Sequence, residues 1–183
     1  MVMVDATNLI KKIMIKMSKD RLEVTQEDMY NCLVSMIKWT RQFKNRPEIV
    51  QLSGGLNSPL MWSKEFCTIK FCLPRQSGHT TFIKRIVEKF TENGSTGELF
   101  KKPVLIFPNM NIIKNEEIFY NGIRFGLVKH IKSFNKNTFL GQKLDGAIID
   151  CTSILSSSEV EKVYEAFKHH AVFNPNFVFV FIE

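Results

Sequence analysis

Phe71-Cys72-Leu73-Pro74-Arg75-Gln76-Ser77-Gly78-His79-Thr80-Thr81 is the stretch that decides how the chain folds. It leads from an apolar run, Cys67–Leu73, through a short polar loop containing Gly78 into an amphipathic segment. There Phe82, Ile83, Ile86, Val87 and Phe90 recur at helical spacing, with Asn93-Gly94 as a stop signal. The pattern predicts a strand over Cys67–Leu73 and a helix over Thr80–Phe90. A loop of this kind turns the first backbone N–H groups of the helix outward, toward any anion seated there. A threonine hydroxyl beside them suits Mg2+, a hard cation that takes oxygen ligands. The layout is that of a phosphate-binding loop, with two departures from G-x-x-x-x-G-K-[ST]. Leu73 or Pro74 stands near the place of the first glycine, and His79 replaces the lysine. The same residues also describe a plain strand-to-helix turn.

Downstream, short apolar runs alternate with amphipathic segments. Val104–Phe107, Ala147–Ile149 and Phe177–Ile182 read as strands. Ser158–His169 reads as a helix with Val160, Val163, Tyr164 and Phe167 on one side. Ile118–Tyr120 and Ile123–Phe125 flank Asn121-Gly122, a two-residue hairpin signal. The order predicts an α/β fold in three layers, with a mainly parallel central sheet. Upstream, residues 5–18 and 24–43 read as helices covering one flank of that sheet. In the second, Thr25 caps, Asp28 lies in the first turn, and Met29, Leu33, Met36 and Ile37 form a stripe. Residues 44–60, with two prolines and Gly54-Gly55, read as a linker loop. The expected division is a helical extension and linker over 1–60 and the α/β domain over 61–183.

Composition narrows the classes. The chain has 183 residues, 44% hydrophobic and 23% charged, which excludes a disordered or low-complexity polypeptide. Its apolar runs are far too short to span a membrane. Lys11, Lys12 and Lys16 interrupt any signal-peptide core near the start. Cys32, Cys67, Cys72 and Cys151 form no CxxC pair, so neither a zinc site nor a disulfide framework is expected, and a reducing cytoplasm fits. The net charge of +7 favours polyanionic partners, although solubility alone also accounts for it.

The wording of the loop carries a resemblance. Pro74-Arg75-Gln76-Ser77-Gly78-His79-Thr80-Thr81 resembles, at every position but the lysine, the loop of the ATPase motor in the large terminase subunits that package DNA in tailed phages. Glu117–Phe125, written around Asn121-Gly122, resembles that family's hairpin. Leu140–Cys151, ending in Gly146-Ala147-Ile148-Ile149-Asp150-Cys151, resembles the approach to its Walker B strand, and Phe177–Ile182 takes the place of the next core strand. The likeness covers about residues 64–183 and includes no nuclease domain. It implies a P-loop fold of the terminase and helicase-like kind, in the cytoplasm (the host's, if the chain is viral).

The resemblance implies that residues Pro74 to Thr81 (Pro74, Arg75, Gln76, Ser77, Gly78, His79, Thr80, Thr81) cradle the phosphates of ATP. Thr80 Oγ1 would bind Mg2+, Asp150 would hold the same ion through water, and Arg75 would supply permanent charge in place of the missing lysine. Without the resemblance, Asp150 simply ends a strand and Arg75 is a surface cation. The family's glutamate after the Walker B aspartate is absent: Cys151 stands there, and a thiol is a poor base for water. The nearest downstream carboxylate is Glu159. Nucleotide binding with slow or absent hydrolysis is therefore expected. Between Glu117 and Asp145 the charges are all cationic, with Arg124, Lys129, Lys132, Lys136 and Lys143 joined by His130, Phe125, Phe134 and Phe139. They read either as a DNA-backbone contact or as a solvated surface whose Phe residues face the core. Three functions stay open: a nucleotide-binding, DNA-associated protein with a degenerate ATPase apparatus; an interaction module that binds a phage or host protein and no nucleotide; and an active small NTPase using Arg75 and Glu159.

Overall fold

The apolar runs align side by side because their buried backbone groups must be satisfied by a neighbour, and the three central ones are buried on both faces. The computed structural model describes residues 25–55, 58–73, 78–92, 100–108, 127–151 and 155–183. Its strands are β1 (Thr68–Phe71), β2 (Pro103–Phe107), β3 (Leu127–His130), β4 (Gly146–Asp150) and β5 (Val178–Ile182). They form one sheet in the order β1-β5-β4-β2-β3, and every pairing is parallel. All five residues of β2, of β4 and of β5 are buried.

Successive side chains of a strand point to opposite faces, so the sheet builds two cores. On one face, Ile69, Phe71, Leu105, Ile148, Val178, Val180 and Ile182 meet helices α1 (Gln26–Lys44) and α4 (His79–Glu92) through Met29, Leu33, Ile37, Phe82, Ile83 and Ile86. On the other, Val104, Ile106, Ala147, Ile149, Phe179 and Phe181 meet α3 (Pro59–Phe66) and α5 (Ser157–Phe173) through Trp62, Val163, Tyr164 and Phe167. Each such large apolar side chain contributes about 2 kcal/mol when fully buried. Both long helices begin with reciprocal caps: the Thr25 hydroxyl accepts from Asp28 N while the Asp28 carboxylate accepts from Thr25 N, and Ser156 does the same with Glu159.

The expected α/β class and its central strands are present, with the sheet wholly parallel among the described residues. Two readings change. Residues 44–60 contain a helix, α2 (Pro47–Gly55), and the start of α3, rather than a plain linker loop. Pro47 and Pro59 each occupy the first helical position, where a missing N–H costs nothing. Strand β3, which had no counterpart in the sequence reading, adds an edge beside β2. The 5–18 helix and the hairpin around Asn121-Gly122 lie outside the described residues. Among the described residues, no helix is long and apolar enough to cross a membrane.

Candidate functional site

In a parallel sheet all strands end at the same rim, and ligands of α/β folds gather outside those carboxyl ends. Chain order places Gly78 and Asp150 there. β1 ends at Phe71, whose ring stacks on Phe82 in the first turn of α4, with centroids 5.4 Å apart. The start of α4 is thereby packed against the carboxyl end of β1. β4 ends at Asp150, which is 1% exposed. Only β5 lies between β1 and β4, so their ends are roughly 10 Å apart at the usual strand spacing. Asp150 alternates with Ile149 and shares the face of Ile148, the face on which α4 packs. Loop exit and carboxylate therefore share one rim and one face.

Gly78 is where the loop turns into the helix. Its φ is +76°, a left-handed conformation that glycine adopts without strain, and its carbonyl accepts from Phe82 N at 2.8 Å as the first helical bond. A Cβ there would lie 3.2 Å from Thr81 Oγ1 and 4.0 Å from Gln26 Nε2, so the first turns of α4 and α1 converge on this point. Arg85 and Lys89, farther along α4, pair with Glu27 of α1 at 3.0 and 3.5 Å, tying the start of α1 to the body of α4. His79 is half-buried as the first residue of α4, Thr80 follows it in the helix, and Thr81 is exposed. Pro74, Arg75, Gln76 and Ser77 lie outside the described residues.

The donor set fits Mg2+ bound in the company of phosphates. Among the described residues no three His, Cys, Asp or Glu side chains gather into a self-sufficient metal site. What the rim offers is one buried carboxylate and a threonine-bearing helix start, and Mg2+ commonly takes one or two carboxylates with the rest from phosphate and water.

Other carboxylates and thiols at this rim sort by what holds them. The Cys151 thiol is pushed up to about 12, first by burial and then by the carboxylates of Glu183 and Asp150. It stays protonated at neutral pH and offers no base. Glu159 is committed to the cap of α5: it accepts from Ser156 N at 2.9 Å and from the Ser156 hydroxyl at 2.8 Å, and these bonds hold its carboxyl below the usual range. Glu183, which the sequence reading passed over, directly follows β5 at the same rim. Its N–H donates to Phe71 O at 3.0 Å and its carbonyl accepts from Leu73 N at 2.6 Å. Its signal in the sequence is an acidic residue straight after a buried run; Asp150 has the same local setting, and the Walker B resemblance is what singles it out.

The cationic stretch is dispersed. Lys129 sits in β3, Lys132 in the 3-10 turn Ile131–Ser133 after it, and Lys136 and Lys143 on the return path to the amino rim; the last three are exposed, and Arg124 lies outside the described residues. Phe134 and Phe139 are core residues, 3% and 0% exposed, packed on the Phe167 ring at 6.2 and 4.3 Å. They are unavailable for stacking on bases, as the core reading of this stretch expected. No protein-family model, no curated protein and no solved structure matches the chain.

Proposed function

We propose that the chain binds a nucleoside triphosphate, ATP, with Mg2+ at the carboxyl rim between the start of α4 and Asp150, and hydrolyses it slowly. It would be a nucleotide-binding domain on the pattern of the DNA-packaging and helicase-like ATPase cores that its loop resembles. One observation carries the reading: Gly78, in the left-handed conformation that opens α4, and the buried Asp150 share a rim and a face with a single strand between them. Helix-start amides attract phosphate oxygens, and a carboxylate one strand beyond the next faces the far side of the same anion. Bound Mg2+ would supply charge neutralisation on the phosphates. The chain's own part is to orient them on the amides of α4 and to hold the carboxylate of Asp150 out of bulk water. Slow turnover follows from His79 at the lysine position and from the protonated thiol of Cys151.

Isothermal titration with ATP in the presence of Mg2+ tests the reading. Binding that weakens when Mg2+ is withdrawn, and tightens in His79→Lys, is expected, because a permanent cation then meets the phosphates. No heat and no thermal stabilisation at millimolar ATP would overturn it and favour an interaction module. The active-enzyme version built on Glu159 loses support from the capping bonds of that residue.

A further inference from the structure

Resting on that nucleotide-binding reading, we propose that Glu183 is the carboxylate that accepts a proton from the attacking water during slow hydrolysis. Gly78 follows β1 and Asp150 ends β4, and β5 lies between them. A ligand that touches both must cross the end of β5, and the residue at that end is Glu183.

Registry fixes where its side chain stands. Asp150 pairs with Ile182, and Phe71 pairs with the same Ile182 from the other side. The ladder runs on past the strands: Cys151 N donates to Ile182 O at 2.9 Å, and Glu183 N donates to Phe71 O at 3.0 Å. Both the N–H and the carbonyl of Glu183 are thus bonded to the β1 chain, which pins its backbone at the rim. By alternation with Ile182, its side chain leaves toward the face of α5, the side on which Cys151 also lies. Asp150 and Glu183 therefore straddle the rim, one on each side of the path a phosphate chain would take. Lys70 Nζ lies 3.6 Å from Glu183 Oε1, and the Cys72 thiol donates toward Oε2 at 3.6 Å, so the carboxylate is steered by long contacts and left 39% exposed. Water reaches it freely.

The step balances within the substrate. A water oxygen forms a bond to the γ-phosphorus while one of its protons passes to Glu183. The bond from the γ-phosphorus to the bridging oxygen breaks, and that oxygen leaves with ADP. Glu183 then returns the proton to inorganic phosphate or solvent. A positioned base contributes about 10²–10⁴-fold to such a step.

Two measurements test this on the full chain. Mg·ATP affinity of Glu183→Gln is expected to stay within about threefold of the parent, while single-turnover hydrolysis falls at least about a hundredfold. Returning a carboxylate across the strand pair, in Glu183→Gln/Cys151→Glu, is expected to restore part of that loss, since the two positions share a face. A chain that binds ATP and hydrolyses it at the same rate with Glu183→Gln, or does not hydrolyse it at all, overturns the role of Glu183 and leaves nucleotide binding standing. A chain that binds no ATP overturns both.

Discussion

The two rims of the sheet handle their charges in opposite ways. At the amino rim, Lys44, Arg41, Asn174 and Asp145 are all tied to backbone. Lys44, 2% exposed, donates to Asn174 O at 3.1 Å and Phe177 O at 2.7 Å. Arg41 Nε donates to Asn176 O at 2.7 Å and its guanidinium lies over the Phe100 ring. Asn174 Nδ2 donates to Leu144 O, and Asp145 accepts from Lys101 N and Lys102 N. These bonds close the turn between α5 and β5 onto the end of α1. The carboxyl rim instead presents a left-handed glycine, a helix start and two carboxylates on adjacent strands. The first rim uses charge to hold chain in place; the second leaves charge at the rim where the proposed nucleotide would cross. A substitution should report which rim it touches by which property it changes.

The largest effect is expected at the amino rim. Lys44→Ala takes the ammonium donor from the Phe177 carbonyl and removes a buried stem, while Asn174 O keeps its bond from Phe177 N. About 3 kcal/mol of folding stability should go, since an abandoned buried acceptor costs on the order of 1–3 kcal/mol and the lost stem adds to it. Urea unfolding measures this, and ATP affinity of the molecules still folded should not move. If affinity falls in step with stability, the rims are not independent. Asp150→Asn is the mirror experiment. The amide keeps the shape of the carboxylate and loses its charge, so Mg·ATP affinity should drop about thirtyfold, roughly 2 kcal/mol. The melting temperature should stay within about 4 °C.

Gly78→Ala comes next and touches both properties. A left-handed φ costs an alanine about 1–2 kcal/mol, and its methyl would press on the Thr81 side chain 3.2 Å away. A loss of about 1 kcal/mol in urea unfolding is expected, together with weaker ATP binding. Weaker folding with intact binding would place the ligand away from this helix start.

How much of this was legible depends on what kind of information each element needs. The buried runs of β2, β4 and β5, the Thr25–Asp28 cap and the Gly78 turn are local patterns, and the sequence carries local patterns directly. Residues 44–60 read as a linker because Pro47, Pro59 and Gly54-Gly55 carry the same signal whether they break a helix or bound one. At a helix's first position a proline is a start, and a glycine pair near the last turn is a stop. β3 was missed because only Leu127 and Val128 precede Lys129 and His130, too short a run to stand apart. Glu183 was missed for a different reason. Its place beside Asp150 comes from strand order, in β5 passing between β1 and β4, and no spacing along the chain encodes that. Asp150 and Glu183 both stand at the end of a buried run, and only the sheet order puts the two ends side by side.

Lys44 gives the last way to separate the rims, through pH. Burial lowers its ionisation below the ordinary 10.5, and Arg41 adds to that, while the Cys67 thiol 3.8 Å away opposes it. Below its lowered folded value the ammonium is charged in both the folded and the unfolded chain, and the folded state carries the full desolvation cost. As pH rises past the lowered folded value, the folded chain releases its proton while the unfolded chain keeps it. The unfolded state then binds more protons, so stability rises with pH until about 10.5, where both forms are neutral. Cys67 titrates in the opposite sense, because burial raises its thiol and the unfolded chain ionises first. A Cys67→Ala background removes that opposing slope. In it, the stability of the Lys44 chain relative to Lys44→Met should climb between neutral pH and pH 10. A flat difference would mean that the ammonium at the amino rim is not paying for its burial, and that its bonds to Asn174 and Phe177 recover the whole cost.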